Sequence, residues 1–147
     1  MRDKNLSIDD LMVGNWVHCK FENKNYKLDG FGDDDRIETY GQPYVLIDGY
    51  KFNLLSDIEA IVLTPEIILK NGFTHETLFD TDDYVSEDKR IVVHSEKKYI
   101  NSDNLWYVHI DNEDMNTTGS GEISFVHELQ QLLKINGMKE FSKNIIV

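Results

Sequence analysis

The stretch Pro43-Tyr44-Val45-Leu46-Ile47-Asp48-Gly49-Tyr50-Lys51-Phe52-Asn53-Leu54 sets two β-prone runs, Pro43 to Ile47 and Tyr50 to Leu54, on either side of an Asp-Gly pair. Both positions of that pair tolerate positive φ, so it predicts a hairpin with a two-residue turn. Downstream, Ser56-Asp57-Ile58 reads as a single turn and Glu59 to Leu63 as a further strand. Upstream, Asn15 to Phe21 alternates, with Val17, Cys19 and Phe21 on one face and Trp16, His18 and Lys20 on the other. Tyr26 to Leu28 and Arg36 to Tyr40 are shorter strands around a Gly and Asp loop at Asp29 to Asp35. Short strands, a hairpin and a one-turn helix before the last strand predict an SH3-like small β-barrel over residues 1–63, since closure hides edges that short strands would expose.

Residues 64–147 read as an α+β half, either separate or part of one compact unit. Thr64-Pro65-Glu66 opens a short helix, with Thr64 as N-cap and Pro65 where no N–H is needed, and Asn71-Gly72 closes it. Arg90 to His94 and Leu105 to Ile110 are strands, with Lys98-Tyr99-Ile100 a possible third between them, and together they predict an antiparallel sheet. A polar loop from Asp111 to Gly121 leads to a longer helix over Phe125 to Asn136, capped by Ser124 and stopped by Gly137. Its apolar stripe takes Phe125, Val126, Leu129, Leu132, Leu133 and Ile135, leaving His127, Glu128, Gln130, Gln131 and Lys134 to face outward. Ile145 to Val147 reads as a last strand. The fold class is thus α+β, a small barrel followed by an antiparallel sheet with one short and one longer helix.

The 147 residues carry 27 acids against 15 bases, a formal charge of −12. Such a field repels phosphate backbones and attracts basic surfaces, so direct nucleic-acid binding is not expected. The acids gather at Asp33-Asp34-Asp35, from Asp80 to Asp88, and from Asp111 to Asp114, and read as solvated loops. A charged N-terminus without an apolar run, and the lack of any long apolar stretch, point to a cytoplasmic protein with no membrane contact. A single cysteine, Cys19, allows no internal disulfide and no Cys-rich zinc site.

Two segments approach known chemistry. Val126-His127-Glu128-Leu129-Gln130-Gln131 lacks the second histidine of the H-E-x-x-H zinc helix, which needs two imidazoles on one helix face. Asp114, Asn116, Thr118 and Gly119 repeat the opening of a calcium loop, but Phe125 stands where the bidentate Glu belongs, leaving Glu122 as the one further acid. His18 neighbours Cys19, yet strand alternation turns the two side chains to opposite faces, which leaves a buried thiol. His75, His94 and His109 lie near different elements, and no Gly-rich phosphate loop occurs.

Three stretches resemble a family of small uncharacterised bacterial proteins frequent in phage and mobile-element gene sets. Asp10-Leu11-Met12-Val13-Gly14-Asn15-Trp16-Val17 is similar to that family's D-L-R-I-G-N-x-V. Asp57 to Phe73 resembles its D-I-E-P-I-P-L-T-E-E-I-L-L-K-N-G-F, and Phe125 to Leu132 its Y-V-H-Q-L-Q-N-L. The resemblance implies no activity. It does imply that neither a second histidine nor a glutamate base belongs at the near-zinc helix, because the family commonly places Gln after the histidine. The chain departs from the pattern around Gly30 to Tyr40 and from Asp111 to Gly121.

The functional expectation is a non-enzymatic protein-interaction module of phage or mobile-element origin, with no catalytic residues, cofactor or metal. Its expected partner is another protein, met through His127, Gln130, Gln131 and the Asp33, Asp34, Asp35 run. One alternative is an acidic nucleic-acid mimic that inhibits a host nucleic-acid-binding or defence protein; the other is a metal-dependent hydrolase.

Overall fold

The computed structural model describes residues 2–33, 41–78, 81–96 and 105–147. The expected strands at Arg36 to Tyr40 and Lys98 to Ile100, together with Asp34, Asp35 and Asp80, lie outside the described residues. The chain divides into two compact units, Asp3–Ile61 and Met1–Arg2 with Val62–Val147. The class is α+β, with two antiparallel five-stranded sheets and few helices.

In the first unit, β1 (Trp16–Cys19), β2 (Lys24–Gly32), β3 (Tyr44–Ile47), β4 (Lys51–Leu54) and β5 (Ile58–Ala60) assemble in the order β4-β3-β2-β1-β5. A register shift between Leu28 and Gly30 lets β2 pair β1 with its first half and β3 with its second. A 3₁₀ turn, Leu55–Asp57, joins β4 to β5. Among the described residues the sheet stays open, with β4 and β5 as its edges, so the closed barrel is not seen. Val17, Cys19, Leu28, Val45, Ile47 and Ile58 fill the core. Phe21 does not join them: β1 ends at Cys19, the chain turns through Asn23 at φ 52°, and Phe21 is left 91% exposed.

The decisive hairpin forms, with one residue more in its turn than the Asp-Gly signal predicts. Ile47 pairs Lys51, so Asp48, Gly49 and Tyr50 make the loop, all at positive φ (51°, 78° and 65°). The carboxylate of Asp29 accepts hydrogen bonds from the backbone nitrogens of Gly49 and Tyr50, which offsets the strain at Tyr50.

The second unit starts with α1 (Pro65–Lys70), where Thr64 Oγ1 accepts from the Ile67 nitrogen. Hydrogen bonding to its own backbone nitrogen and to Thr64 holds the Glu66 carboxyl below its usual range. The sheet follows as β6 (Thr74–Leu78), β7 (Thr81–Val85), β8 (Ile91–Glu96), β9 (Trp106–Asp111) and β10 (Thr117–Ile123), in the order β10-β9-β8-β7-β6.

Two expected loops therefore contain strands. Asp82 and Asp83 sit on β7, and the second half of the Asp111 to Gly121 segment, from Thr117 on, is β10, because ladder pairing accepts polar side chains wherever one face stays wet. The calcium-loop reading fails with the loop: Asn112 Oδ1 accepts from the Asp114 and Asn116 nitrogens in a tight turn, and an extended β10 cannot wrap an ion.

Helix α2 (Val126–Ile135) and helix α3 (Lys139–Lys143) end the chain. Phe125, not Ser124, is the N-cap residue, and the Glu128 carboxylate takes the capping role by accepting from both of their nitrogens. Val126, Leu129 and Leu133 are buried as the stripe requires, but Ile135 is 74% exposed.

His127 and Gln130 are corrections, being 4% and 2% exposed where an outward position was expected. For Gln130 the cause is α3, which the sequence reading did not include. Gly137 at φ 82° turns the chain back, and Ser142 Oγ then donates to the Gln130 carbonyl at 2.6 Å. His127 stacks on Phe125 with ring centroids 5.8 Å apart. The expected strand at Ile145 to Val147 is instead a tail held by Asn71, whose side chain donates to the Ile146 carbonyl and accepts from the Ile146 nitrogen.

Candidate interaction face

Alternation along the second sheet separates its two faces. Tyr84, Ile91, Val93, Trp106, Val108, Ile110 and Ile123 are buried on one of them. That is the helix side. A Cβ on Gly121 would lie 3.5 Å from Leu132 of α2, and one on Gly119 would overlap the Asn136 side chain, so the two glycines let α2 lie close over β10. On this side burial, followed by the charges of Asp82 and of Glu66 on α1, raises the Tyr84 hydroxyl above its ordinary value. Phe141 of α3 meets Phe73 edge-on at 5.7 Å.

The opposite face carries no helix of this unit among the described residues. The register aligns one side chain from each strand across it: Glu76 beside Asp83, Asp83 beside His94, His94 beside Tyr107, Tyr107 beside Glu122. At a strand spacing of about 4.8 Å this row spans roughly 19 Å. The His94 and Tyr107 rings stack at its centre, 5.6 Å between centroids and 23° between planes. A second row runs Val85, Val92, His109, Ser120. His94 and His109 thus share this face, diagonally placed on neighbouring strands, a convergence the sequence could not show because it depends on register.

At one rim, Thr117 Oγ1 lies 2.9 Å from His109 Nε2 and donates to Asp111 Oδ1, which is itself 3.4 Å from the same ring nitrogen. A hydroxyl, an imidazole and a carboxylate invite comparison with a catalytic triad. The arrangement differs in the decisive respect: hydroxyl and carboxylate compete for one nitrogen, whereas a relay orients the base through the other. Arg90 Nε donates to the Asp111 carbonyl beside this cluster.

Among the other sequence candidates, Asp33 is exposed at the end of β2, Gln131 is half-buried, Gln130 is buried against Ser142 of α3, and His127 is buried with its ring on Phe125. Cys19 is buried in the first core, and His18, on the opposite side of β1, bonds Asn25 at 2.8 Å. His75 pairs Asp82 at 3.1 Å. Among the described residues no three His, Cys, Asp or Glu side chains gather as a metal site would require. The first unit has a shallow cleft of ≈ 360 Å³ with Leu6, Pro43, Leu55 and Ile58 as apolar lining and Asn5, Gln42 and Ser56 as polar lining. Among the described residues no helix is long and apolar enough to cross a membrane.

The sequence reading named two of the five strands of this face, β8 and β9, and missed Tyr107, Asp83, Glu76 and Glu122. The alternation of Trp106-Tyr107-Val108-His109-Ile110 already turned Tyr107 and His109 away from the core, and that was the available signal. No family model, no curated protein and no solved structure matches the chain.

Proposed function

We propose that this protein is a non-enzymatic interaction module whose docking surface for another protein is the helix-free face of the second sheet. The observation that carries the reading is the His94–Tyr107 stack at the centre of that face, since a half-buried aromatic pair framed by polar residues is the composition of an interface centre. The shared-nitrogen geometry at Thr117, His109 and Asp111 supports a non-enzymatic role. In the first unit, the order β4-β3-β2-β1-β5 with a 3₁₀ turn before β5 supports an SH3-like unit, an architecture suited to binding. Origin in a phage or mobile element rests on the three resembling stretches alone.

The decoy reading has less support. Exposed acids are not confined to the sheet face but also stand on turns of both units, at Asp48 in the first and at Glu87, Glu113 and Asp114 in the second. The test is affinity capture from the native host with the wild-type chain and with Tyr107→Asp, each checked for an unchanged circular-dichroism spectrum. A partner retained by the wild type and lost by Tyr107→Asp is the expected result. Equal retention by both would overturn the docking face.

A further inference from the structure

The chemistry of the partner can be read from the same face, and this step rests on the docking proposal above. We infer that the occupant is an arginine-rich protein segment. Glu76 and Glu122 are exposed and Asp83 is half-exposed, and the three carboxylates flank the His94–Tyr107 stack in one line across five strands. Asp111 adds a fourth at the rim, and Arg90, the cation beside it, is engaged with the Asp111 carbonyl.

An arginine fits this pattern better than a lysine does. Its planar guanidinium can stack on a tyrosine or imidazole face while its fork bonds a neighbouring carboxylate, whereas an ammonium offers a point charge. Tyr107 beside Glu122, and His94 beside Asp83, each supply that pair of contacts from adjacent strands. An extended basic segment lying across the strands would meet a carboxylate, two rings and a second carboxylate in turn. Nucleic acid would meet the same charges as repulsion, and an acidic peptide would fare no better. The overall charge of −12 would draw a basic partner in from a distance, but it is the lined-up face that fixes where it lands.

The test titrates a fluorescent nine-arginine peptide, and its nine-lysine counterpart, against the full chain by anisotropy. Four proteins are compared: wild type; Glu76→Gln with Asp83→Asn and Glu122→Gln; a charge-matched control of Glu87→Gln with Asp114→Asn and Glu140→Gln; and Tyr107→Leu. Expected is an affinity drop of about tenfold or more for the face triple and about twofold or less for the control triple, and a larger loss for arginine than for lysine with Tyr107→Leu. Equal weakening by both triples would show attraction to net charge alone and overturn the inference, as would wild-type protein that does not bind the arginine peptide. In either case Tyr107→Asp still decides partner capture separately, so the docking face can stand while the basic occupant falls.

Discussion

Glu128 joins Arg2 to the start of α2: its Oε1 lies 2.7 Å from an Arg2 guanidinium nitrogen, while its Oε2 accepts from the backbone nitrogens of Ser124 and Phe125 at 2.7 and 3.1 Å. The glutamate that invited a zinc-protease reading is thus a capping group. Arg2 also lies over the Phe125 ring, 5.4 Å from its centroid, so the guanidinium is placed by two contacts within one unit.

Replacing Glu128 with Ala should therefore cost about 1–2 kcal/mol by urea denaturation, the range of a lost helix cap. Glu128→Gln keeps an acceptor oxygen and should recover about half of that. Arg2→Ala should cost less than about 1 kcal/mol, because its side chain is 47% exposed. A larger effect from Arg2→Ala than from Glu128→Ala would mean that the ion pair, not the cap, dominates.

Asn15 is the buried polar residue of the Gly14-Asn15 turn, 3% exposed, and its Oδ1 accepts from the Met12 nitrogen at 2.7 Å. Gly14 stands at φ 89° and donates its backbone N–H to the Leu28 carbonyl, while the Asn15 carbonyl accepts from the Leu28 nitrogen. Asn15→Ala leaves the Met12 N–H without this acceptor and should lower stability by about 1–3 kcal/mol. Thermal melting and urea denaturation of the variant check this. A change within about 0.5 kcal/mol would show that the turn is held by its backbone alone.

The three stretches behind the family resemblance all have structural tasks. Gly14-Asn15 leads into β1; Thr64 caps α1 and Asn71 closes it while holding the C-terminal tail; Val126, Leu129 and Leu133 pack α2. This explains why motif reading found elements readily and chemistry hardly at all. Local signals marked the Asp48 hairpin, both ends of α1 and the stop of α2, since turns and caps are set by nearby residues. Strands β6 and β7 escaped notice because Thr74-His75-Glu76 and Thr81-Asp82-Asp83 have little apolar alternation and owe their form to pairing. The outward row through His94 and Tyr107 is a property of register between strands distant in sequence.

The same distinction separates two residues on α2. Leu133 is fully buried and Ile135 is 74% exposed, although the sequence stripe included both. Leu133→Ala should cost about 2–5 kcal/mol, as cavity-forming truncations do, while Ile135→Ala should stay within about 0.5 kcal/mol. Denaturant midpoints of the two variants measure the contrast. A comparable loss at Ile135 would place α2 in a different rotation about its axis.

Tyr26 supplies a pH signature for the first unit. Its hydroxyl hydrogen-bonds the Glu22 carboxylate, and this bond, with smaller contributions from desolvation and from the charges of Glu22 and Asp48, pushes its pKa up from 10.0 to about 12. A group whose pKa is raised on folding contributes stability that is fully present below its unfolded value and is lost as pH climbs through the folded value. The Tyr26 contribution should therefore hold up to about pH 10 and fade toward about pH 12. Difference titration of tyrosinate absorbance between the wild type and Tyr26→Phe isolates this group from the other tyrosines. Glu22→Gln removes the charge that disfavours the tyrosinate and should return the Tyr26 midpoint toward 10. An unchanged midpoint in Glu22→Gln would show that the contact does not persist in solution.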